Sequence, residues 1–69
     1  MKYFKVGSVV WEVCITNGNG SQYFAAKAKY KTTDTQASNV FGRNRDTEAE
    51  AWEDAERFMA AMGGEEVPA

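Results

Sequence analysis

The 69-residue chain has no histidine, one cysteine and one proline, and no apolar run approaching the roughly 20 residues that cross a bilayer. Each shortage closes off a class of chemistry. Without histidine the usual general base near neutral pH is missing, and a zinc site would rest almost entirely on carboxylates. A lone Cys14 permits no intramolecular disulfide, and its place in "WEVCIT" marks it as a small apolar strand residue rather than a reactive thiol. No catalytic, cofactor or metal motif stands in the chain, which reads as a non-enzymatic protein without cofactor or metal. The opening "MKYFKVGSVV" has neither the apolar stretch nor the cleavage site of a secretion signal, which predicts a cytoplasmic protein with no membrane contact.

What the chain does contain is enough for one small core. Apolar residues make up 43% of it and nine residues are aromatic, too many for a disordered segment. A chain this short buries only about 60% of its unfolded surface, so its stability is expected to be modest. Residues 1–64 are expected to form one domain, a monomer, with residues 65–69 as a short flexible C-terminal tail.

Parity locates the first turn. Phe4 and Val6 occupy even positions, whereas Val9, Trp11, Val13 and Ile15 occupy odd ones. An unbroken strand would place the two groups on opposite faces. A two-residue turn at Gly7-Ser8 puts Val6 opposite Val9 and Phe4 opposite Trp11, so that all six share one face. A bulge at Gly7 in one long strand would do the same, which leaves three or four strands open. The next break, "TNGNGS", predicts a second tight turn around Gly18-Asn19, pairing Val13 with Phe24, Trp11 with Ala26 and Val9 with Ala28. The outward side of that hairpin carries Tyr23, Lys27, Lys29 and Lys31, joined by Tyr3 and Lys5. A polar connection, "TTDTQ", precedes a last strand in "ASNVFGRNR" that brings Arg43 and Arg45.

"DTEAEAWEDAERFMAAM" then reads as a helix. Thr47 and Glu50 have the spacing of a capping box, and Gly63-Gly64 ends the periodic stretch. At 100° per residue Ala51, Trp52, Ala55, Phe58, Met59 and Met62 form a core-facing stripe. Trp11 and Trp52 are both expected to be mostly buried, with Trp52 and Met59 meeting Trp11 and Phe24. The predicted fold is α+β: a small antiparallel sheet of three or four strands with one C-terminal helix packed on one face.

Charge is split along the chain. Residues 1–45 hold seven of the eight Lys and Arg with only Glu12 and Asp34, whereas residues 46–69 hold eight of the ten acids with Arg57 alone. Asp46, Glu48 and Glu50 suit a helix N-terminus, and Glu53 has Arg57 four residues on. Asp54 and Glu56 have no structural reason legible in the sequence. Asp46, Glu48, Glu50, Glu53, Asp54 and Glu56 are thus either a solvated face or a surface that imitates phosphates in a basic groove. Lys5, Lys27, Lys29, Lys31, Arg43 and Arg45 are either a solubilising face or a nucleic-acid contact.

Two resemblances follow. Strands leading into "RDTEAEAWEDA" resemble, over residues 9–62, the three-stranded sheet and helix of AP2-type and integrase arm-binding DNA-binding domains. That resemblance implies DNA binding through the sheet, although the dense Arg and Trp pattern of those sheet faces is not present here. The chain as a whole, a small sheet with one helix, an acidic surface and no catalytic site, resembles small phage-encoded inhibitors of the anti-CRISPR type. That resemblance implies a non-enzymatic DNA mimic in the host cell cytoplasm, whose acidic helix occupies the basic nucleic-acid groove of a CRISPR effector complex subunit. A domain with some other protein partner is a third reading.

Overall fold

The computed structural model describes residues 1–17, 22–31 and 39–68. Its elements are β1 (Lys2–Val6), β2 (Val9–Thr16), β3 (Ala25–Tyr30), β4 (Asn39–Val40), α1 (Glu48–Ala61) and β5 (Glu65–Val67). They form a five-stranded antiparallel sheet in the order β4-β3-β2-β1-β5, with the helix against β2 and β3. The α+β class with a single helix is as predicted, and the sheet is wider than three or four strands.

The first hairpin has the predicted register, with Phe4 opposite Trp11 and Val6 opposite Val9. Gly7 adopts φ +62°, the left-handed conformation that its lack of a Cβ makes cheap. The second hairpin departs from expectation: Val13 pairs with Ala28, Trp11 with Tyr30 and Ile15 with Ala26. The partners lie four residues further along β3 than predicted, and the proposed turn at Gly18-Asn19 lies outside the described residues, as does "TTDTQ". Because the shift is even, each side chain keeps its face. The cause is packing. The observed register sets Ala26 and Ala28 under the helix, where Phe24 would have kept it away, and lays the Tyr30 ring on Trp11 with centroids 4.5 Å apart.

The core reflects that choice. Ala26, Ala51, Ala55 and Val13 are wholly buried and Met59 nearly so, with Phe4 and Ala28 beside them. Alanines on both surfaces let the helix approach the sheet closely, and Met59 fills the space they leave. Trp11 and Trp52 pack against this cluster from its margins, neither fully enclosed nor among the exposed residues, in line with the expectation that both are mostly buried. Phe24 lies outside the cluster, bridging through its backbone to Arg45. Phe58 and Met62, both members of the predicted stripe, are 44% and 40% exposed.

The tail is the clearest correction. Glu65–Val67 do not form a free end but pair with β1, Tyr3 opposite Val67 and Lys5 opposite Glu65. The helix ends as Gly63 takes φ +77° and the Gly64 amide donates to the Met59 carbonyl at 2.8 Å, and this reversal aims the chain back along the open edge of β1. A Cβ on Gly64 would stand 2.9 Å from Val6 Cγ2 and 3.0 Å from the Met59 carbonyl oxygen. Composition showed only an acidic pentapeptide with Val67 as its one large apolar side chain; pairing depends on an edge that exists only in the folded sheet. Both edge strands are very short, two and three residues, which limits strand addition from other chains.

Two stability measurements test this arrangement. Deleting residues 65–69 removes ladder hydrogen bonds and half-buried Val67, and is expected to cost about 1–2 kcal/mol, roughly 5–15 °C in Tm for so small a domain. An unchanged Tm would mean that β5 contributes nothing. Gly64→Ala should cost about 1–3 kcal/mol, because the methyl meets a backbone carbonyl that has little room to move.

Candidate functional site

The capping of α1 sets where its acids point. The Glu50 amide donates to Thr47 Oγ1 at 3.2 Å, and the Thr47 hydroxyl donates to the Glu50 carboxylate at 3.0 Å. With the alanine stripe fixed against the sheet, the acids fall on the two flanks and the outer side of the helix. On one flank Arg45 reaches Glu50 at 3.1 Å and Asp54 at 3.4 Å, and Arg57 reaches the same Asp54 at 3.4 Å. On the other, Lys2 meets Glu56 at 2.8 Å with its ammonium 5.0 Å from the centroid of the Trp52 ring.

These contacts overturn one expectation. Asp54 and Glu56 do have a structural role: they tie the helix to chain segments on either side, and the Asp54 side chain is only 12% exposed. Arg57 pairs with Asp54, three residues back, rather than with Glu53. The six carboxylates therefore divide. Glu50, Asp54 and Glu56 are ion-paired within the fold, whereas Asp46, Glu48 and Glu53 are exposed and have no ion pair among the described residues. The sequence could not reveal this split, because the cations responsible lie up to 54 residues away.

The basic residues divide as well. Lys5, Lys27, Lys29 and Lys31 share the sheet face opposite the helix. Arg45 lies on the helix side with its acids, and Arg43 lines a shallow pocket there with Asp54 and Arg57. Cross-strand register orders the open face in rows: Glu65, Lys5 and Val10; Val67, Tyr3, Glu12 and Lys29; Cys14, Lys27 and Val40. Lys31 extends the first row, its amide donating to the Val10 carbonyl at 2.9 Å. Lys29 stands 4.0 Å from Glu12, and the Lys31 ammonium lies 4.7 Å from the centroid of the Tyr3 ring. Lys5 and Lys27 have no acid in ion-pair range among the described residues. Cys14 is a free, half-buried thiol beside Lys27.

One feature escaped sequence reasoning. An apolar pocket of about 260 Å³, lined by Trp11, Ala28, Asn39, Phe41, Phe58, Met59 and Met62, opens where the helix leaves part of the sheet uncovered. Its only sequence signal was the position of Phe58 at the margin of the stripe. Among the described residues no cluster of three or more Cys, Asp or Glu could hold a metal ion, and no helix is long and apolar enough to cross a membrane. No family model matches this chain, and neither a curated protein nor a solved structure matches it.

The flank ion pairs give a pH signature. The hydrogen bond from Arg45, and next those from Thr47, hold the Glu50 carboxyl below its ordinary 4.5. A carboxyl depressed in the folded state contributes stability that is present above the unfolded value and lost as pH falls through the folded one. Thermal melts taken from neutral pH down to about pH 3 should therefore show a smaller acid-induced loss for Glu50→Gln than for the parent protein. Arg45→Ala should lower Tm measurably where Glu53→Gln does not; equal effects would mean the flank pairs do not hold the helix.

Proposed function

We propose that this protein is a non-enzymatic nucleic-acid-binding module that meets the phosphate backbone with the open face of its sheet. The observation that carries the reading is the sorting of charge by layer: four of the five lysines, Lys5, Lys27, Lys29 and Lys31, project from the face that the helix leaves uncovered. The acids that would oppose phosphate are handled in two ways. Three of the five helix acids, Glu50, Asp54 and Glu56, are ion-paired by Lys2, Arg45 and Arg57. Of the others, Glu48 and Glu53 lie on α1 and Asp46 just before it, on the side of the sheet away from these lysines. Glu12 and Glu65 on the open face moderate the attraction, which suits weak binding.

Phosphate contacts by this set supply affinity without reading bases. Tyr3 and Tyr23 add aromatic surface, Tyr23 being 41% exposed, of the kind on which single-stranded bases stack. The module is thus expected to bind single strands at least as well as duplex.

A second reading keeps the acidic side as the site. Asp46, Glu48 and Glu53 are exposed and unpaired among the described residues, a reduced version of the surface that an anti-CRISPR-type inhibitor would offer to a basic groove. Its strength is halved by the internal pairing of Glu50, Asp54 and Glu56.

Fluorescence anisotropy with labelled single-stranded and duplex oligonucleotides separates the two. Three or four phosphate contacts give a slope of log affinity against log salt of about −2 to −4. The triple variant Lys27→Gln, Lys29→Gln, Lys31→Gln should lose at least tenfold in affinity and most of that slope. Asp46→Asn with Glu48→Gln and Glu53→Gln should bind as well or slightly better. If the lysine variant binds as tightly as the parent, or if only the acidic variant loses inhibition of a CRISPR effector complex, the sheet face is not the site.

A further inference from the structure

On the helix side, away from the lysines, two pockets adjoin. The apolar one, of about 260 Å³, and a shallower one lined by Phe41, Gly42, Arg43, Asp54, Arg57, Phe58 and Ala61 share Phe41 and Phe58 as a common wall, their ring centroids 4.9 Å apart. Three observations bear on what fits there. The apolar pocket is smaller than the roughly 300–1,000 Å³ typical of cofactor and drug-sized ligands, so it suits a single large side chain. Its rim is uncovered, Phe58 and Met62 being among the most exposed large apolar residues of the protein. The second pocket is cationic: Arg43 has no ion pair among the described residues, and Arg57, its side chain 73% exposed, has only Asp54, which Arg45 also engages.

We propose that the two pockets form one docking site for a short acidic peptide segment of a partner protein, a large apolar side chain entering between Trp11, Phe41, Phe58 and Met62 and a neighbouring carboxylate pairing with Arg43 and Arg57. Charge complementarity selects this occupant. A second copy of the chain, docked about a two-fold axis, would set the same arginines against each other. A basic or uncharged peptide would leave them unpaired. The planar guanidinium fork donates to both oxygens of a carboxylate in bidentate geometry, and the Phe41–Phe58 pair separates that cationic half from the apolar one. The site is separate from the nucleic-acid face, so the protein would join a strand on one side to a protein on the other.

Proton–nitrogen correlation spectra of the intact protein provide the test. The chain has two indole N–H groups, and only Trp11 lines the pocket. Titration with an acetylated, amidated peptide carrying Phe between Asp and Glu should move the Trp11 indole and Met62 backbone amide signals and leave Trp52 in place, with saturation below about 1 mM. The same peptide with Lys for both acids should bind at least tenfold more weakly. Arg43→Ser with Arg57→Ser, and separately Phe58→Ser, should each weaken binding at least tenfold; these positions are exposed, and an unmoved Trp52 signal reports an intact fold. The lysine triple variant should bind the peptide as the parent does, which distinguishes failure of this site from failure of the sheet face. Absence of shifts at millimolar peptide, equal binding of the lysine peptide, or shifts confined to the open face would overturn the proposal. Concentration-dependent movement of Trp11 without peptide would overturn it in favour of a second copy.

Discussion

The packing of Ala26 and Ala28 on β3 with Ala55 on α1 in one buried cluster is the constraint on which the rest of the molecule depends. Burying small side chains releases less hydrophobic free energy per residue than burying large ones. What it supplies is proximity, which lets Val13 and Met59 become wholly enclosed in a domain too small for a second core layer. It also fixes the rotation of the helix about its axis. That rotation places Glu56 over Lys2, Glu50 and Asp54 beside Arg45, and Phe58 at the margin.

Charge follows from this contact. In the chain the acids look like one block of like sign, mutually repulsive at three- and four-residue spacing. Folding brings cations from both ends of the first 45 residues to the flanks of that block. The ion pairs so formed are partly exposed, and pairs of this kind contribute modestly. Their larger effect is on surface character: the helix flanks approach neutrality, while the open sheet face carries Lys5, Lys27, Lys29 and Lys31 against Glu12 and Glu65 among the described residues.

The same geometry explains the apolar pocket. Fourteen helical residues cover β2 and β3 incompletely, and Phe58 and Met62 near the end of the helix line the gap together with Trp11, Ala28, Asn39 and Phe41. A domain of this size has few ways to cover such a gap except with another molecule. The two proposed sites therefore arise from one cause, a sheet wider than its only helix: one face of it stays open, and a corner of the other stays unfilled.

Local pattern alone determined a good part of this protein. The parity change between Val6 and Val9 with Gly7 between them sets the first hairpin and its register, because a two-residue turn is the short connection that reconciles the two apolar faces. Thr47, Glu50 and the two glycines set the helix ends through hydrogen bonds within a few residues. The alternation of lysines in β3 places them together on one face whichever even register the strand adopts. Tertiary structure decided what depends on partners distant in sequence. Whether Val13 meets Phe24 or Ala28 turns on which side chains let the helix approach, whether Glu65–Val67 pair turns on β1 having a free edge, and whether Asp54 and Glu56 are solvated or bound turns on where Arg45 and Lys2 arrive. Periodicity carries no information on these points, because each is a competition between contacts that come into being only when the sheet and helix are already packed.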